Sequence, residues 1–148
     1  MPPPAEEGQL KRALKVVSGV LQHNKEADLF ARPVDPEADG CPDYPEYVTE
    51  PMDLGTVASR LRGGAHYCGA LEVWADVQLT FNNCRAYNDD GSVAWEKCAE
   101  VERDLSARWV DALLPMPAGP PSARAARPRG AGDAPPLLLA YATHEDGA

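Results

Sequence analysis

The sequence predicts an all-α fold, a compact four-helix bundle. Four segments repeat apolar residues at the alternating three- and four-residue spacing of amphipathic helices. Two of the connections between these segments are short and one is long. No segment shows the strict alternation of a half-buried strand. Amphipathic helices connected in this way pack around one core as a bundle.

The first helix is expected over about residues 8–25 and the second within "DLGTVASRLRG". Asp53 is the predicted N-cap of the second helix, and the Gly63-Gly64 pair is its predicted end. The apolar face of the first helix consists of Leu10, Ala13, Leu14, Val17, Val20 and Leu21.

The third helix is expected over about residues 69–87 and ends at "NDDG". The fourth is expected from Ser92, a predicted N-cap, to about Leu114. Their apolar stripes are Ala70, Trp74, Val77, Phe81 and Cys84 in the third helix, and Ala94, Cys98, Val101, Leu105, Trp109 and Ala112 in the fourth.

The long connection, residues 27–53, contains five prolines, which forbid a continuous helix. It also contains Phe30, Val34, Tyr44, Tyr47 and Met52, more apolar surface than disordered segments carry. We therefore expect an ordered loop packed against one end of the bundle. A recess between this loop and "YNDDG" is the expected functional site.

Composition divides the chain into a folded domain, residues 8–114, and a Pro/Gly/Ala-rich segment, residues 115–148, expected to be a disordered tail or linker. The apolar run "PPLLLAYA" is much shorter than the roughly 18 residues of a membrane span. The N-terminal residues lack the pattern of a secretory signal. We expect a protein that stays inside the cell and does not enter membranes.

The predicted domain is acidic: residues 1–114 contain 11 Lys and Arg against 20 Asp and Glu. This balance argues against direct nucleic-acid binding, which needs clustered cations. It suits a basic partner such as a Lys/Arg-rich peptide. The alternative is that the acidity serves solubility alone.

The sequence does not predict a catalytic centre. The four cysteines form no CxxC pair and the three histidines are scattered, so no metal site is expected. The carboxylates at 89–90 have no neighbouring nucleophile–base pair, and "RGGAH" lacks the Lys and Ser/Thr of a phosphate-binding loop. We expect a non-enzymatic protein without a cofactor.

The stretch "CRAYNDDG" allows two interpretations. Asn88 can be a helix C-cap. It can also be a ligand anchor, since an Asn side chain offers both a donor and an acceptor to a neutral amide such as an acylated lysine. Unmodified lysine would lose hydration of its cation in such a pocket, at a cost of several kcal/mol.

The stretches "ARPVDPEADGCPDYPEYVTEPMDLGTVASRL" and "VWADVQLTFNNCRAYNDDGS" resemble the bromodomain family of acetyl-lysine-recognition modules. The pieces "PDY", "PMDLGTV" and "DVQLTFNNCRAYN" occur in the family's order and spacing. The resemblance covers about residues 8–114. It implies a left-handed bundle of helices Z, A, B and C, whose ZA and BC loops form the pocket.

The resemblance also implies roles for single residues. Asn88 matches the asparagine that hydrogen-bonds the acetyl carbonyl, and Tyr44 matches the tyrosine that reaches this carbonyl through a water. The implied pocket walls are Val34, Phe30, Tyr87 and, at the gatekeeper position, Ala94.

Several positions depart from the family pattern. Residues 28–30 read Asp-Leu-Phe where many members have Trp-Pro-Phe, and two commonly apolar loop positions are Asp39 and Cys41. The small gatekeeper Ala94 and the polar positions Asp28 and Asp39 lead us to expect a wider, more polar pocket rim. The carboxylates at 89–90 suit a peptide with basic residues beside the modified lysine.

The resemblance thus implies a nuclear, non-enzymatic reader of acetylated lysine, with peptides of histone tails or other nuclear proteins as partners. The alternative is a degenerate bundle that acts as a protein–protein scaffold without affinity for acetyl-lysine.

Overall fold

The computed structural model describes residues 4–118. Within this range the fold is entirely helical, which confirms the predicted all-α class, and no strand occurs there. Most of the predicted tail, residues 119–148, lies outside the described residues. The helices are α1 (Pro4–His23), a 3₁₀ helix (Lys25–Phe30), α2 (Tyr44–Tyr47), α3 (Leu54–Gly63), α4 (Ala70–Tyr87) and α5 (Val93–Asp111).

The four long helices form the predicted bundle. Helix α1 contacts α3, α4 and α5, and α4 also packs against α3 and α5. The stripes predicted for α4 and α5 face the core, where the rings of Trp74 and Trp109 lie 5.0 Å apart. Trp109 is completely buried, and its indole Nε1 donates a hydrogen bond to the Pro115 carbonyl at 3.0 Å. The core therefore extends to the chain just beyond α5.

Local sequence signals define the helix ends. The Asp53 carboxylate accepts a hydrogen bond from the Thr56 N–H at 2.8 Å, which confirms the predicted cap of α3. Gly64 ends this helix with a φ of 77°, a conformation that favours glycine. The Ser92 hydroxyl accepts from the Trp95 N–H and caps α5, again as predicted.

Helix α1 differs from its predicted range at both ends. It begins at Pro4 rather than near residue 8, with two glutamates in its first turn. Proline is compatible with the first turn, and carboxylates there complement the helix dipole. It ends at His23, because Asn24 is extended and its side chain accepts a hydrogen bond from Glu26. Asn24 thus caps the following 3₁₀ helix.

The long connection is ordered, as expected, but it contains more regular structure than the sequence indicated. The 3₁₀ helix brings the chain to the recess. Helix α2 follows later in the connection and has Pro45 in its first turn. Between them, the Asp35 carboxylate accepts from the N–H groups of Glu37 and Ala38. Gly40 has a φ of 74°, so the reversal at this point favours glycine.

Two close contacts fix α3 in the bundle. A Cβ at Gly55 would overlap the carbonyl oxygen of Ala31, so glycine lets the start of α3 approach the end of the 3₁₀ helix. Near the C-terminal end of α3, Arg60 pairs with the Asp76 carboxylate of α4 at 3.1 Å. The hydroxyl of Tyr67, which follows α3, donates to the same carboxylate at 2.6 Å. Burial and then this hydrogen bond raise the pKa of Tyr67.

Within residues 4–118 no helix has the length and apolarity required to cross a membrane.

Candidate ligand-binding recess

A recess lies between the long connection and the C-terminal half of α4, close to the expected site, but no residue of the "YNDDG" turn lines it. The space that can admit the centre of a water molecule measures about 10 Å³, close to the minimum for one water. Three of the predicted site residues line it: Phe30, Val34 and Tyr44. Its other lining residues are Leu29, Arg32, Met52, Asp53, Thr80 and Cys84.

Asn88 is the C-cap of α4, so the capping interpretation is confirmed. Its backbone N–H and its side-chain Nδ2 both donate to the Cys84 carbonyl, at 3.0 and 2.9 Å. This shared acceptor fixes the amide orientation, because the reversed amide would place two oxygens against each other. The side chain is 1% exposed, and its Oδ1 has no hydrogen-bond partner among the described residues.

Asn88 lies at the edge of the recess through its contact with Cys84. Its Nδ2 is 3.6 Å from the Cys84 sulfur, and Cys84 lines the recess. The Nδ2 group thus has both the carbonyl oxygen and the sulfur of Cys84 as acceptors, and Oδ1 is the atom of the amide that has no partner among the described residues. A buried amide with an unpartnered oxygen is uncommon in folded proteins and indicates a functional group or a bound partner.

Two predicted tyrosines belong to a second, smaller core of Cys41, Tyr44, Tyr47, Val48 and Tyr87. The rings of Tyr44 and Tyr87 lie 5.2 Å apart, and the Tyr87 hydroxyl donates a hydrogen bond to Asp43. Burial raises the pKa of Tyr44, with smaller contributions from nearby thiols. Its hydroxyl is therefore neutral at physiological pH and able to donate.

The structure places Ala94 differently from the other predicted site residues. Ala94 is completely buried in the main core, and its carbonyl accepts from the Cys84 thiol at 3.7 Å. It does not line the recess, whose space is narrow. The expected effect of this small residue on the width of the pocket rim stays a prediction, and so does its contact with a ligand.

The departures in the long connection also have structural explanations. Asp28 is exposed on the 3₁₀ helix. Asp39 pairs with Arg32 at 2.8 Å and accepts from the Asp35 N–H at 2.9 Å, so it stabilises the loop. Cys41 is 1% exposed, and burial together with nearby carboxylates raises the pKa of its thiol to about 12. The Cys41 thiol is thus neutral, and the residue packs as a small apolar side chain.

Sequence reasoning missed several residues of the site. Asn83 is buried and donates from Nδ2 to the Glu50 carbonyl at 2.8 Å, which ties the end of the long connection to α4. Thr80 and Cys84 line the recess. They precede Asn88 by eight and four residues, and this spacing on a helix places them on one face. Counting back from Asn88 in fours could have identified both.

The surroundings of the recess are acidic. The exposed carboxylates on the long connection and on the turn after α4 are Asp28, Asp35, Glu37, Glu46, Glu50, Asp89 and Asp90. The only cation lining the recess itself is Arg32, whose guanidinium is paired with Asp39. The field at this end of the described domain therefore favours a cationic partner.

The family model described as Bromodomain matches residues 13–100. Bromodomain-containing factor 1 of Saccharomyces cerevisiae is 35% identical over 109 residues, which is 70% of this chain and 16% of that protein. The SWR1 complex bromodomain subunit bdf1 of Schizosaccharomyces pombe is 38% identical over 88 residues, 60% of this chain and 15% of that protein. Transcription factor GTE10 of Arabidopsis thaliana is 38% identical over 89 residues, 59% of this chain and 8% of that protein.

Among solved structures, the second bromodomain of Candida albicans Bdf1, bound to an imidazopyridine, matches with a TM-score of 0.64 and 30% identity. The match covers 68% of this chain and 96% of that one. Two of the three relatives named above carry the word bromodomain in their names and the third is named a transcription factor, and this chain spans less than a fifth of the length of each of them. Family model, relatives and fold agree with the geometry of the recess: this chain belongs to the bromodomain family.

Proposed function

We propose that this chain is a non-enzymatic reader that binds acetylated lysine in the recess between the long connection and the end of α4. The observation that carries the proposal is the Asn88 amide, which is buried, is fixed by Cys84 and has an Oδ1 with no partner among the described residues. An acetylated lysine presents a carbonyl acceptor and an N–H donor. The N–H complements the unpartnered Oδ1, and the carbonyl is a stronger acceptor for Nδ2 than the Cys84 sulfur.

The remaining lining suits the rest of such a ligand. Phe30, Val34 and Tyr44 provide apolar and aromatic walls for the methyl group and the lysine stem. The Tyr44 hydroxyl, kept neutral by burial, can act directly or through a water. Unmodified lysine would lose the hydration of its ammonium group in the recess, and the buried carboxylate that lines it, Asp53, already accepts hydrogen bonds from the N–H and hydroxyl of Thr56, so the recess discriminates by exclusion.

Binding requires side chains at the recess to move, because the present space is about that of one water molecule. Among the residues that line the recess, Arg32 is well suited to change its rotamer, because its side chain is 57% exposed. Side-chain rotamer changes of this kind are common when proteins bind their ligands.

The acidic surroundings favour peptides with Lys or Arg beside the acetylated residue. Histone tails have this composition, and the bromodomain and transcription-factor names of the relatives point to the same setting. We therefore propose acetylated histone tails, or similar nuclear proteins, as partners and the nucleus as the location. No catalytic step, metal or cofactor is part of this proposal.

The test is a calorimetric titration of basic peptides in acetylated and unmodified forms. We expect binding of the acetylated form only. Asn88→Ala should weaken it about 5- to 150-fold, since the lost hydrogen bond and the unpaired ligand carbonyl cost about 1–3 kcal/mol. Asn82→Ala is the matched control, because it makes the same change six residues earlier in the chain, at a half-buried residue whose Oδ1 already accepts from Arg85 at 3.1 Å.

Folding of the variant can be assessed separately. Asn88→Ala removes one hydrogen bond, worth about 1 kcal/mol, but it also removes an unpartnered buried oxygen that costs about as much. Its unfolding free energy should thus stay within about 1 kcal/mol of the parent. Loss of binding together with loss of fold would contradict the proposed role of Asn88.

The second candidate function is a protein–protein scaffold without affinity for acetyl-lysine, and the narrow recess favours it. A peptide array with matched unmodified peptides separates the two. A scaffold would bind both forms equally, and Asn88→Ala would leave its binding unchanged. Mass spectrometry of the recovered peptides tests the non-enzymatic part, because any chemical change in the peptide would contradict it.

A further inference from the structure

A groove lies between α1 and α3, away from the recess, and neither the proposed function nor the bundle core uses it. Its volume is about 490 Å³, far larger than that of the recess. Its apolar walls are Leu10 and Leu14 of α1, Leu61 of α3 and Tyr67. The three leucines are half-buried against the core, so each offers part of its side chain to the groove.

The rim of this groove is cationic, unlike the acidic recess. Lys11, Arg60 and Arg62 line it together with a single carboxylate, Glu7. Lys11 pairs with Glu7 at 3.6 Å on the exposed surface, and Arg60 pairs with the Asp76 carboxylate. Arg62, which donates to the Ser18 hydroxyl at 3.4 Å, is the rim cation that has no carboxylate partner among the described residues. The groove therefore fits an apolar segment that carries negative charge at one end.

The same chain contains such a segment beyond the described residues. Residues 137–141 read Leu-Leu-Leu-Ala-Tyr, and Glu145 and Asp146 follow shortly after. Nearly all the sequence between residue 118 and this point is Pro, Gly, Ala, Ser or Arg. We propose that residues 137–146 bind in the groove between α1 and α3 of their own chain, with the leucines on the apolar walls and the carboxylates at the cationic rim.

The path of the chain after α5 makes this contact possible. Arg12 of α1 donates to the Ala112 carbonyl at 3.0 Å, so α5 ends beside the part of α1 that lines the groove. Leu114 is buried, and Pro115 accepts from Trp109, which holds the chain at this end of the bundle. On a helix with 3.6 residues per turn, Arg12 lies roughly 150° around α1 from the groove residues, so the connecting chain has to pass around α1 to reach the groove.

The intervening residues, 119–136, provide enough length. As a flexible chain they would span about 20–25 Å, and about 60 Å when fully extended. A helix with its side chains is only about 10–12 Å across. Linkage within one chain also gives an effective concentration of about millimolar, so a weak contact is sufficient to fill the groove.

The experiment uses the full chain and its own cysteines. Cys68 is exposed and adjoins Tyr67 of the groove, whereas Cys41, Cys84 and Cys98 are buried, so a nitroxide reagent will label Cys68 selectively. We expect paramagnetic broadening of the NMR signals of residues 137–141, and much weaker broadening of residues 124–129. Equal or absent broadening of the two stretches would overturn the proposal.

A charge exchange tests the orientation of the segment. Lys11→Glu with Arg62→Glu should remove the broadening, because it places carboxylates opposite Glu145 and Asp146. Adding Glu145→Lys and Asp146→Lys should restore it. Ala125→Ser with Ala126→Ser, between the domain and the segment, is the control that should change nothing. Failure of the restoration would contradict the proposed pairing.

Mixing distinguishes the other possible occupants. Labelled, NMR-silent chains are combined with unlabelled, isotope-enriched chains. Broadening in the enriched chains would show that a second copy supplies the segment, which contradicts an intramolecular contact. These readouts do not involve acetylated peptides, so they test the groove independently of the proposed function.

Discussion

The hydrogen bond from Tyr87 to Asp43 should be a main support of the wall opposite Asn88, and Tyr87→Phe tests this directly. The substitution keeps the ring, which packs 5.2 Å from Tyr44 and 5.5 Å from Tyr47. It removes only the hydroxyl that donates to the Asp43 carboxylate. The other oxygen of Asp43 is buried without a partner among the described residues. The variant therefore leaves a partly buried carboxylate without this donor.

A hydrogen bond to a charged group contributes about 1.5–3 kcal/mol, so Tyr87→Phe should lower the unfolding free energy by about this amount. For a domain of this size, each kcal/mol corresponds to roughly 4–8 °C in Tm. Urea denaturation measures the unfolding free energy and a thermal melt measures Tm, both followed by circular dichroism. In an Asp43→Asn background, the same substitution should cost less, because the acceptor has lost its charge.

Tyr44→Phe is the matched control. It makes the same chemical change in the same aromatic cluster, but the structure records no hydrogen bond for the Tyr44 hydroxyl within residues 4–118. We expect its unfolding free energy to change by less than about 0.5 kcal/mol, while its affinity for acetylated peptide falls. Equal destabilisation by the two substitutions, or none by Tyr87→Phe, would refute the reasoning.

Three further predictions concern the scaffold. Gly55→Ala should destabilise the domain by about 1–3 kcal/mol or more through overlap with the preceding loop, whereas Gly63→Ala, with open space around it, should be nearly neutral in urea denaturation. The raised pKa of Tyr67 means that its neutral hydroxyl contributes stability that is complete below pH about 10 and is lost as the pH rises toward the folded-state pKa. Tyr67→Phe should therefore be less stable than the parent at pH 8, and this difference should shrink above pH 10; a constant difference would contradict the bond to Asp76. Iodoacetamide at pH 8 should modify Cys68 alone in the native protein and all four cysteines in urea, as seen by mass spectrometry.

The positions of the four long helices could be predicted because strong local signals agree with the tertiary structure. Asp53 and Ser92 cap helices where the sequence placed them, and Asn88 ends α4. The early start of α1 was missed, because the predicted range began just before Leu10, the first residue of the apolar face. The signal was present in two acidic residues of the first turn, which favour a helix N-terminus.

The recess itself could be predicted only in part. Its approximate location and the residues Phe30, Val34 and Tyr44 follow from the sequence. Its small volume depends on how side chains from distant parts of the sequence pack together. The burial of Ala94 is an example, because a periodic apolar stripe does not reveal whether its first residue faces a cavity or a filled core. The role of Asp39 depends on a partner seven residues away in a loop, a spacing that no helical or strand period predicts.

The C-terminal turns of α4 bear several contacts at once. Asn83 holds the end of the long connection, Tyr87 holds its middle through Asp43, and Asn88 is fixed to Cys84. Helix ends have the lowest local stability in a fold, and residues that open together form one cooperative unit. Fraying of this helix end would therefore release both walls and the anchor in a single event. Hydrogen exchange at residues 84–88 should report the fraction of molecules in which this helix end is open. The remaining, closed fraction is the one that is competent to bind.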